Sequence, residues 1–489
     1  MAQNNTSGFA KTAAKGTAWL YVVFYIGKLI LFLSTVILAR LLAADDFGVV
    51  GYAVTIIGFL EVFRELGISA AQIYYQDKEN VLDTAFWLNI TISTILCILV
   101  WISAPVIGEF FHDPRAIWTS RILILNFPLS ALYGTHETLI VQNLDFRKKF
   151  IPGFAQALGR GFISISLAFL GFGHWSLVIG QVTGNILAAI FFWRLVDWRP
   201  SFFISLSVAS DLLKFGLPMI GATIADMLVL NVDYLIIGRY LGAEALGIYT
   251  LAFRIPELVI QTFCSIVATV IFPVFVKIRE DPYSLRKGFL RVTRYISLVT
   301  VPMGLGLVFL ADSFVYTLFT EKWIAAIPIM RAISIVALVH SFGYSAGDIY
   351  KAQGKPGILT RVAIFKLFFL VPGLYWAVVV PSSLIAVGWV QIVVSIIGTL
   401  TYLAVAIRIL NLRISNLWTE FSPSLIGGGF LALALLAFLH YFSNANDWYK
   451  LIGGILVGGM AYFLGLWIFA KQVLLEGIDL VRAIIQKEK

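Results

Sequence analysis

Eight basic residues lie within long apolar stretches of this chain instead of in the polar segments between them: Lys28, Arg64, Arg160, Arg254, Arg294, Arg331, Arg361 and Lys366. A charge in apolar, membrane-like surroundings is costly unless it is paired or faces a water-filled cavity, so each is a candidate for function. Lys28, Arg160 and Lys366 stand nearest the middle of their stretches, with no acidic residue within helical reach. Their chemistry is to hold an anion. Arg64 follows Glu61 by one turn and precedes Glu65, and Arg254 with Glu257 repeats that spacing. Each of these pairs is open to two readings, an ion pair within one helix or part of a cavity wall. Arg294, Arg331 and Arg361 lie within about two turns of a stretch end, where a long side chain reaches the head groups, and a structural role is expected.

Tyr21, Tyr25, Lys28 and Phe32 follow helical spacing, so one face carries rings and a cation together. That face could bind a ligand or form a packing seam. Among the acids, Asp226 lies near the centre of its stretch, where desolvation disfavours the carboxylate unless a cation is near. Asp226 leads as a site for a coupling proton or Na⁺, followed by Glu61 and then Glu257; a static salt bridge is the alternative. Asp233, seven residues after Asp226, is expected to pair with Arg239 or to be solvated. His136 and His340 could titrate near neutral pH, although a lone membrane histidine more often serves as a hydrogen-bond partner between helices.

These residues need helices to position them. The chain has 489 residues, 60% hydrophobic and 13% charged, with a mean hydropathy of +0.89. That is too apolar for a soluble fold. With about 20 apolar residues required per helical crossing, fourteen spans are expected, roughly 17–39, 47–70, 84–108, 118–142, 151–172, 175–196, 212–238, 246–275, 289–311, 324–350, 357–380, 383–407, 422–442 and 449–470. The first is too long for a signal-peptide core and is expected to stay as a membrane helix. Pro128, Pro256, Pro302, Pro328 and Pro372 fall inside spans and are expected to kink them. Cys97 and Cys264 lie within spans, so no disulfide framework is suggested.

Of the 36 basic residues, twenty-two fall in alternate connections that include both termini, and six in the others. This places both termini in the cytoplasm. The net charge of +9 then serves topology and attraction to anionic lipid; no soluble basic domain suggests nucleic-acid binding.

Residues 39–50 and 238–249 match at an offset of 199: Arg40 with Arg239, Leu42 with Leu241, Ala44 with Ala243, Asp45 with Glu244 and Gly48 with Gly247. The expected fold is an all-α integral membrane protein of about fourteen transmembrane helices. Two six-helix lobes, 1–200 and 201–412, form a parallel pseudo-twofold repeat. Residues 413–489 add two spans and an amphipathic cytoplasmic tail.

Further segments carry a resemblance: Ala39-Arg40-Leu41-Leu42 with Asp46-Phe47-Gly48, Leu66-Gly67-Ile68, Phe86-Trp87-Leu88-Asn89, Gln142-Asn143-Leu144-Asp145-Phe146, Lys214-Phe215-Gly216 and Phe272-Pro273. So does Leu318-Phe319-Thr320-Glu321-Lys322-Trp323, although Thr320 stands where a glycine is usual. In order and spacing, residues 15–410 resemble the polysaccharide transporter (Wzx-type oligosaccharide flippase) family of the multidrug/oligosaccharidyl-lipid/polysaccharide exporter superfamily.

The resemblance implies export of an oligosaccharide linked to a polyprenyl (undecaprenyl-type) pyrophosphate across the bacterial inner membrane, with membrane lipids and the polysaccharide assembly machinery as neighbours. Lys28, Arg160, Lys366, Arg64, Arg254 and Tyr25 are then the expected contacts for pyrophosphate and sugar. Asp226, Glu61 and Glu257 are the expected sites for H⁺ or Na⁺. No cofactor, resident metal or catalytic residue is expected. A drug/cation antiporter and a peptidoglycan-precursor flippase of the same superfamily are the alternatives. A multi-span glycosyltransferase using Asp45-Asp46 to bind a metal ranks lower, because the second copy keeps one carboxylate and a helix cap accounts for an acid there.

Overall fold

The computed structural model describes residues 27–143 and 145–476, and within them all side chains except those at 146, 147, 216, 218–223 and 226. The described residues are helical with no strand. Tyr25 lies outside them, as does the side chain of Asp226.

An isolated backbone polar group is costly in hydrocarbon, which leaves the helix as the way for these apolar runs to cross. The first element, α1, covers 27–41. It is followed by α2 (Ala44–Glu65), α3 (Ile68–Tyr74), α4 (Val81–Phe111), α5 (Arg115–Leu123), α6 (Asn126–Gln142), α7 (Phe146–Phe169), α8 (His174–Leu195) and α9 (Leu206–Pro256). After a π turn at Glu257–Gln261 come α10 (Thr262–Lys277), α11 (Pro282–Phe309), α12 (Ala311–Leu318), α13 (Ala326–Ala352), α14 (Gly357–Val379), α15 (Leu384–Leu410), α16 (Ile414–Tyr441) and α17 (Asp447–Phe469). Polar side chains open several of these helices by accepting first-turn amides: Asp281 from Tyr283 N–H at 3.0 Å, Ser383 from Ile385 at 3.2 Å and Asn446 from Trp448 at 2.9 Å.

Among the described residues ten helical stretches are long and apolar enough to cross a membrane, and one of them, Met227–Lys277, runs through two of the expected spans. The first span is only partly described, and the fourth and fifth miss the threshold. The fifth is α7, which carries Lys148, Lys149 and Arg160. The protein is an all-α, multi-pass membrane protein of about fourteen spans. Large apolar side chains left uncovered, such as Ile102, Phe162, Phe368, Leu433 and Met460, belong to its lipid-facing surface.

The fourth span is not one helix. α5 ends at Leu123 and α6 restarts at Asn126, with Phe127 N–H bonding Ile124 O at 2.9 Å across the break. Pro128 therefore sits in the first turn of α6, where its missing N–H costs nothing, and it does not kink a span. Pro328 occupies the same place in α13, after Ile327 N–H bonds Ile324 O at 3.0 Å. Pro302 and Pro372 do lie inside helices. Pro256 closes α9, and a π turn follows it directly.

The chain forms two compact units, residues 1–247 and 248–489. In the first, α7 packs along α8, α4 along α6, and α2 on α5. The two matched segments also meet there. A Cβ added at Gly48 would lie 1.7 Å from Ala243 O, and one at Gly247 would lie 1.8 Å from Ala44 O. The repeat offset carries each contact onto the other, so each copy's glycine accommodates the other copy's alanine at backbone distance. Gly242, with φ 84°, supplies the left-handed residue that turns α9 just before this crossing.

In the second unit α11 packs against α13 and α16, and α16 against α17. Its core gathers Cys264, Phe275, Phe289, Ile349 and Tyr350. Arg294 pairs with Glu420 and, at 3.3 Å, with Glu476, while Arg331 pairs with Asp312 at 2.6 Å.

Thr320 adopts φ 83° and ψ 170°, a region that is essentially reserved for glycine. Its hydroxyl is buried with no hydrogen-bond partner among the described residues. This is the physical reason a glycine suits the position. Thr320→Gly is expected to stabilise the fold by about 1 kcal/mol after the glycine's own unfolded-state entropy is subtracted. Thermal unfolding of the purified protein in detergent checks it; an unchanged or lower midpoint goes against the strain argument.

Candidate functional site

A cavity of about 410 Å³ opens in the first unit, lined among others by Lys28, Lys149, Gln156, Arg160, Gln181 and Asn185. Helical spacing explains the convergence. Lys149, Gly153, Gln156 and Arg160 recur every three or four residues, so one face of α7 presents them together. Gln181 and Asn185 do the same on α8, and Gly27, Lys28 and Leu31 on α1. Gly27 and Gly153 leave open space where a side chain would project. Phe150 and Phe154, with ring centroids 5.2 Å apart, add aromatic surface.

The backbone of Arg160 is set by close helix packing. A Cβ at Gly184 would lie 2.8 Å from Gln156 O and 3.1 Å from Arg160 Cβ, and one at Gly180 would lie 2.9 Å from Arg160 O. Small residues on α8 thus let α7 approach to backbone distance at Arg160. A chain of amides fixes the cavity floor. Gln156 Nε2 donates to Asn185 Oδ1 at 2.6 Å, Asn185 Nδ2 donates to Asn126 Oδ1 at 2.7 Å, and Tyr133 OH donates to Asn185 Oδ1 at 3.2 Å. Buried polar groups paired in this way hold one geometry, although Asn126 Nδ2 is buried with no hydrogen-bond partner among the described residues.

Lys28 and Arg160, far apart in sequence, are therefore brought to one cavity. Lys366 is in the second unit, where its stem crosses Gly398: a Cβ there would lie 2.8 Å from Lys366 Cδ. Arg64 is bound to Glu61, is 3.6 Å from Glu65, and lies over the Phe127 ring at 5.6 Å. Arg254 is 3.6 Å from Glu257, which opens the π turn. Both intrahelical pairs are formed, and with them the cations nearest Glu61 and Glu257. Asp233 is buried, not solvated, and accepts Tyr234 N–H at 2.9 Å; Arg239 instead donates to Phe110 O at 2.5 Å at the end of α4.

Lys149 was not among the expected site residues, because it stands in the basic run Arg147-Lys148-Lys149 and reads as a topology charge. Asn126, Gln156, Gln181 and Asn185 were also missed. The spacing of Lys149, Gln156 and Arg160 along one helical face is the signal that could have found them.

Asp45 and Asp46 are occupied by protein donors. Asp46 accepts Ala43 N–H at 3.0 Å, capping α2, and Asp45 accepts Arg115 Nη2 at 2.9 Å. Arg115 also holds Asp113, at 2.8 Å from Nη2 and 3.0 Å from Nε. Burial alone would push the Asp113 carboxyl up, but hydrogen bonds from the Arg115 side chain and backbone hold it below the usual carboxylate range. A depressed folded value means stability that is fully present above about pH 4 and lost as pH falls through the folded value. Thermal midpoints are thus expected to fall on acidification below about pH 4, and less so for Asp113→Asn. Parallel pH curves for the two proteins would rule the cluster out as the source.

The comparisons with known proteins agree with this architecture. A family model described as polysaccharide biosynthesis protein matches residues 37–328. The teichuronic acid biosynthesis protein TuaB of Bacillus subtilis (strain 168) is 29% identical over 411 residues, covering 83% of this chain and 84% of that protein. The succinoglycan biosynthesis transport protein ExoT of Rhizobium meliloti (strain 1021) is 26% identical over 481 residues, 97% of this chain and 96% of the other. Among solved structures, the lipid II flippase MurJ in an inward closed conformation shares the fold with a TM-score of 0.76 at 17% identity, covering 94% of this chain and 100% of that one. With its family model spanning more than half of its length, the chain belongs to the polysaccharide biosynthesis protein family.

Proposed function

We propose that this protein carries an oligosaccharide linked to a polyprenyl pyrophosphate, of the undecaprenyl type, from the cytoplasmic to the outer face of the bacterial inner membrane. The observation that carries the reading is the cavity with Lys28, Lys149 and Arg160 on its wall and amides beside them. Cations suit a pyrophosphate, amides and the Phe150 and Phe154 rings suit sugar, and the cargo's lipid tail can stay in the bilayer. The names of its relatives, in teichuronic acid and succinoglycan biosynthesis, support the same class of cargo.

In this reading both termini are cytoplasmic, lobes 1–200 and 201–412 alternate access to the site, and 413–489 is an addition to them. Lys366, Arg64, Arg254 and Tyr25 are further candidate contacts for the cargo. H⁺ or Na⁺ bound at Asp226, Glu61 or Glu257 drives the cycle only by binding the two states with different affinity. The polysaccharide assembly machinery receives the product, and no catalytic step is assigned to the chain. A drug/cation antiporter is disfavoured by a cavity whose charged lining is cationic.

The decisive experiment deletes the gene and identifies the lipid-linked oligosaccharide that accumulates on the cytoplasmic face. Drug sensitivity with no such accumulation would favour the antiporter.

A further inference from the structure

Lys149 Nζ lies 2.9 Å from Glu137 Oε1, an ion pair between α7 and α6. Glu137 is one helical turn beyond Tyr133, whose hydroxyl joins the amide chain of the cavity. The two side chains are 41% and 37% exposed. Water reaches the pair, so exchanging one partner for another carries little desolvation cost. The ammonium has three N–H donors and can turn without losing its charge.

We propose that Glu137 is a built-in competitor for the anion: it holds Lys149 while the cavity is empty and yields it to a phosphate or pyrophosphate group that arrives beside Lys28 and Arg160. This rests on the reading of the cavity as the site for a pyrophosphate-bearing cargo, and it adds a role for an acidic residue at a cationic site. An exposed carboxylate monoanion is a weak partner for an ammonium, worth less than a phosphate oxygen pair. The incoming group therefore wins the exchange. At release, Glu137 takes Lys149 back and lowers the cost of losing the anion, which a permanently open third cation would raise.

The test uses the full chain purified in detergent and inorganic pyrophosphate as probe, with binding followed by titration calorimetry. Glu137→Gln is expected to tighten binding about two- to fivefold, the range for an exposed ion pair. Lys149→Gln is expected to weaken it about tenfold or more, with Lys149→Arg restoring most of the loss. In the Lys149→Gln background, Glu137→Gln is expected to change nothing, because the competitor acts through Lys149.

Equal tightening in both backgrounds would overturn the exchange, leaving only the long-range field of a carboxylate. Unchanged binding by Glu137→Gln, with a normal wild-type affinity, would overturn it too. Absence of pyrophosphate binding by the wild type would instead sink the reading of the cavity itself. Equal competition by phosphatidylglycerol micelles would show that the cavity takes bulk lipid head groups and would overturn the pyrophosphate assignment. Matching thermal midpoints for all variants keep folding out of the comparison.

Discussion

Lys28→Ala and Arg160→Ala are each expected to lose flipping by about ten- to a hundredfold, and the double variant to be indistinguishable from the gene deletion. The size follows from what is removed. A charge-assisted hydrogen bond to an anion contributes roughly 1.5–3 kcal/mol, and each 1.4 kcal/mol is tenfold. Both residues line the same cavity, so the second loss falls on a site already short of a cation. Lys28→Arg and Arg160→Lys retain part of the activity, since charge is kept while donor geometry changes. The assay is translocation of the lipid-linked oligosaccharide in cells or vesicles, with the amount of membrane-inserted protein measured alongside. Normal flipping by Lys28→Ala, at normal protein levels, would remove that residue from the site.

Gly48→Leu and Gly247→Leu are expected to abolish accumulation of the folded protein, and even the alanine variants to lower its thermal midpoint. At both positions the atom that a new Cβ would strike is a backbone carbonyl oxygen, at 1.7 and 1.8 Å. A flexible side chain could swing away, but a helix must move bodily. Overpacking in a core typically costs about 1–3 kcal/mol when side chains can yield, and here the cost is set by backbone. The contacts are related by the repeat, so relieving one by separating the helices relieves the other. The double alanine variant should therefore cost less than the sum of the two single variants. Additive losses, or unchanged midpoints, would show that the crossing is looser than described.

How much of this was legible depended on what each residue had to do. The repeat was visible because tight backbone packing admits few residues, and Ala44, Gly48, Ala243 and Gly247 show why the copies agree there. Lys28 and Arg160 were visible because a cation amid apolar residues must be paired or face a cavity. Arg64 and Arg254 announced their partners by helical spacing. Lys149 was hidden because a cation near a basic loop serves topology equally well, and only the direction of α7 separates the two roles. Asn126, Gln156 and Asn185 were hidden for another reason: a neutral amide in an apolar run gives no sign of the partners that fold against it. Pro128 and Pro328 were misread because an unbroken apolar stretch conceals a helix restart. The turn around them recurs at an offset of 200, close to the 199 of the outer motif.

The crossing of Gly48 and Gly247 also bears on how the protein is made. α2 leaves the ribosome about 200 residues before the segment that packs against it. At about 5–20 residues per second, roughly 10–40 s pass before Ala243 and Gly247 exist. Through that interval the Gly48 face of α2 has only lipid, or an insertion factor, to cover it. A nascent chain stalled near the end of α8 holds α1 to α8 without α9, which closes the first unit, and its exposed glycine face is a mark that membrane quality control can read.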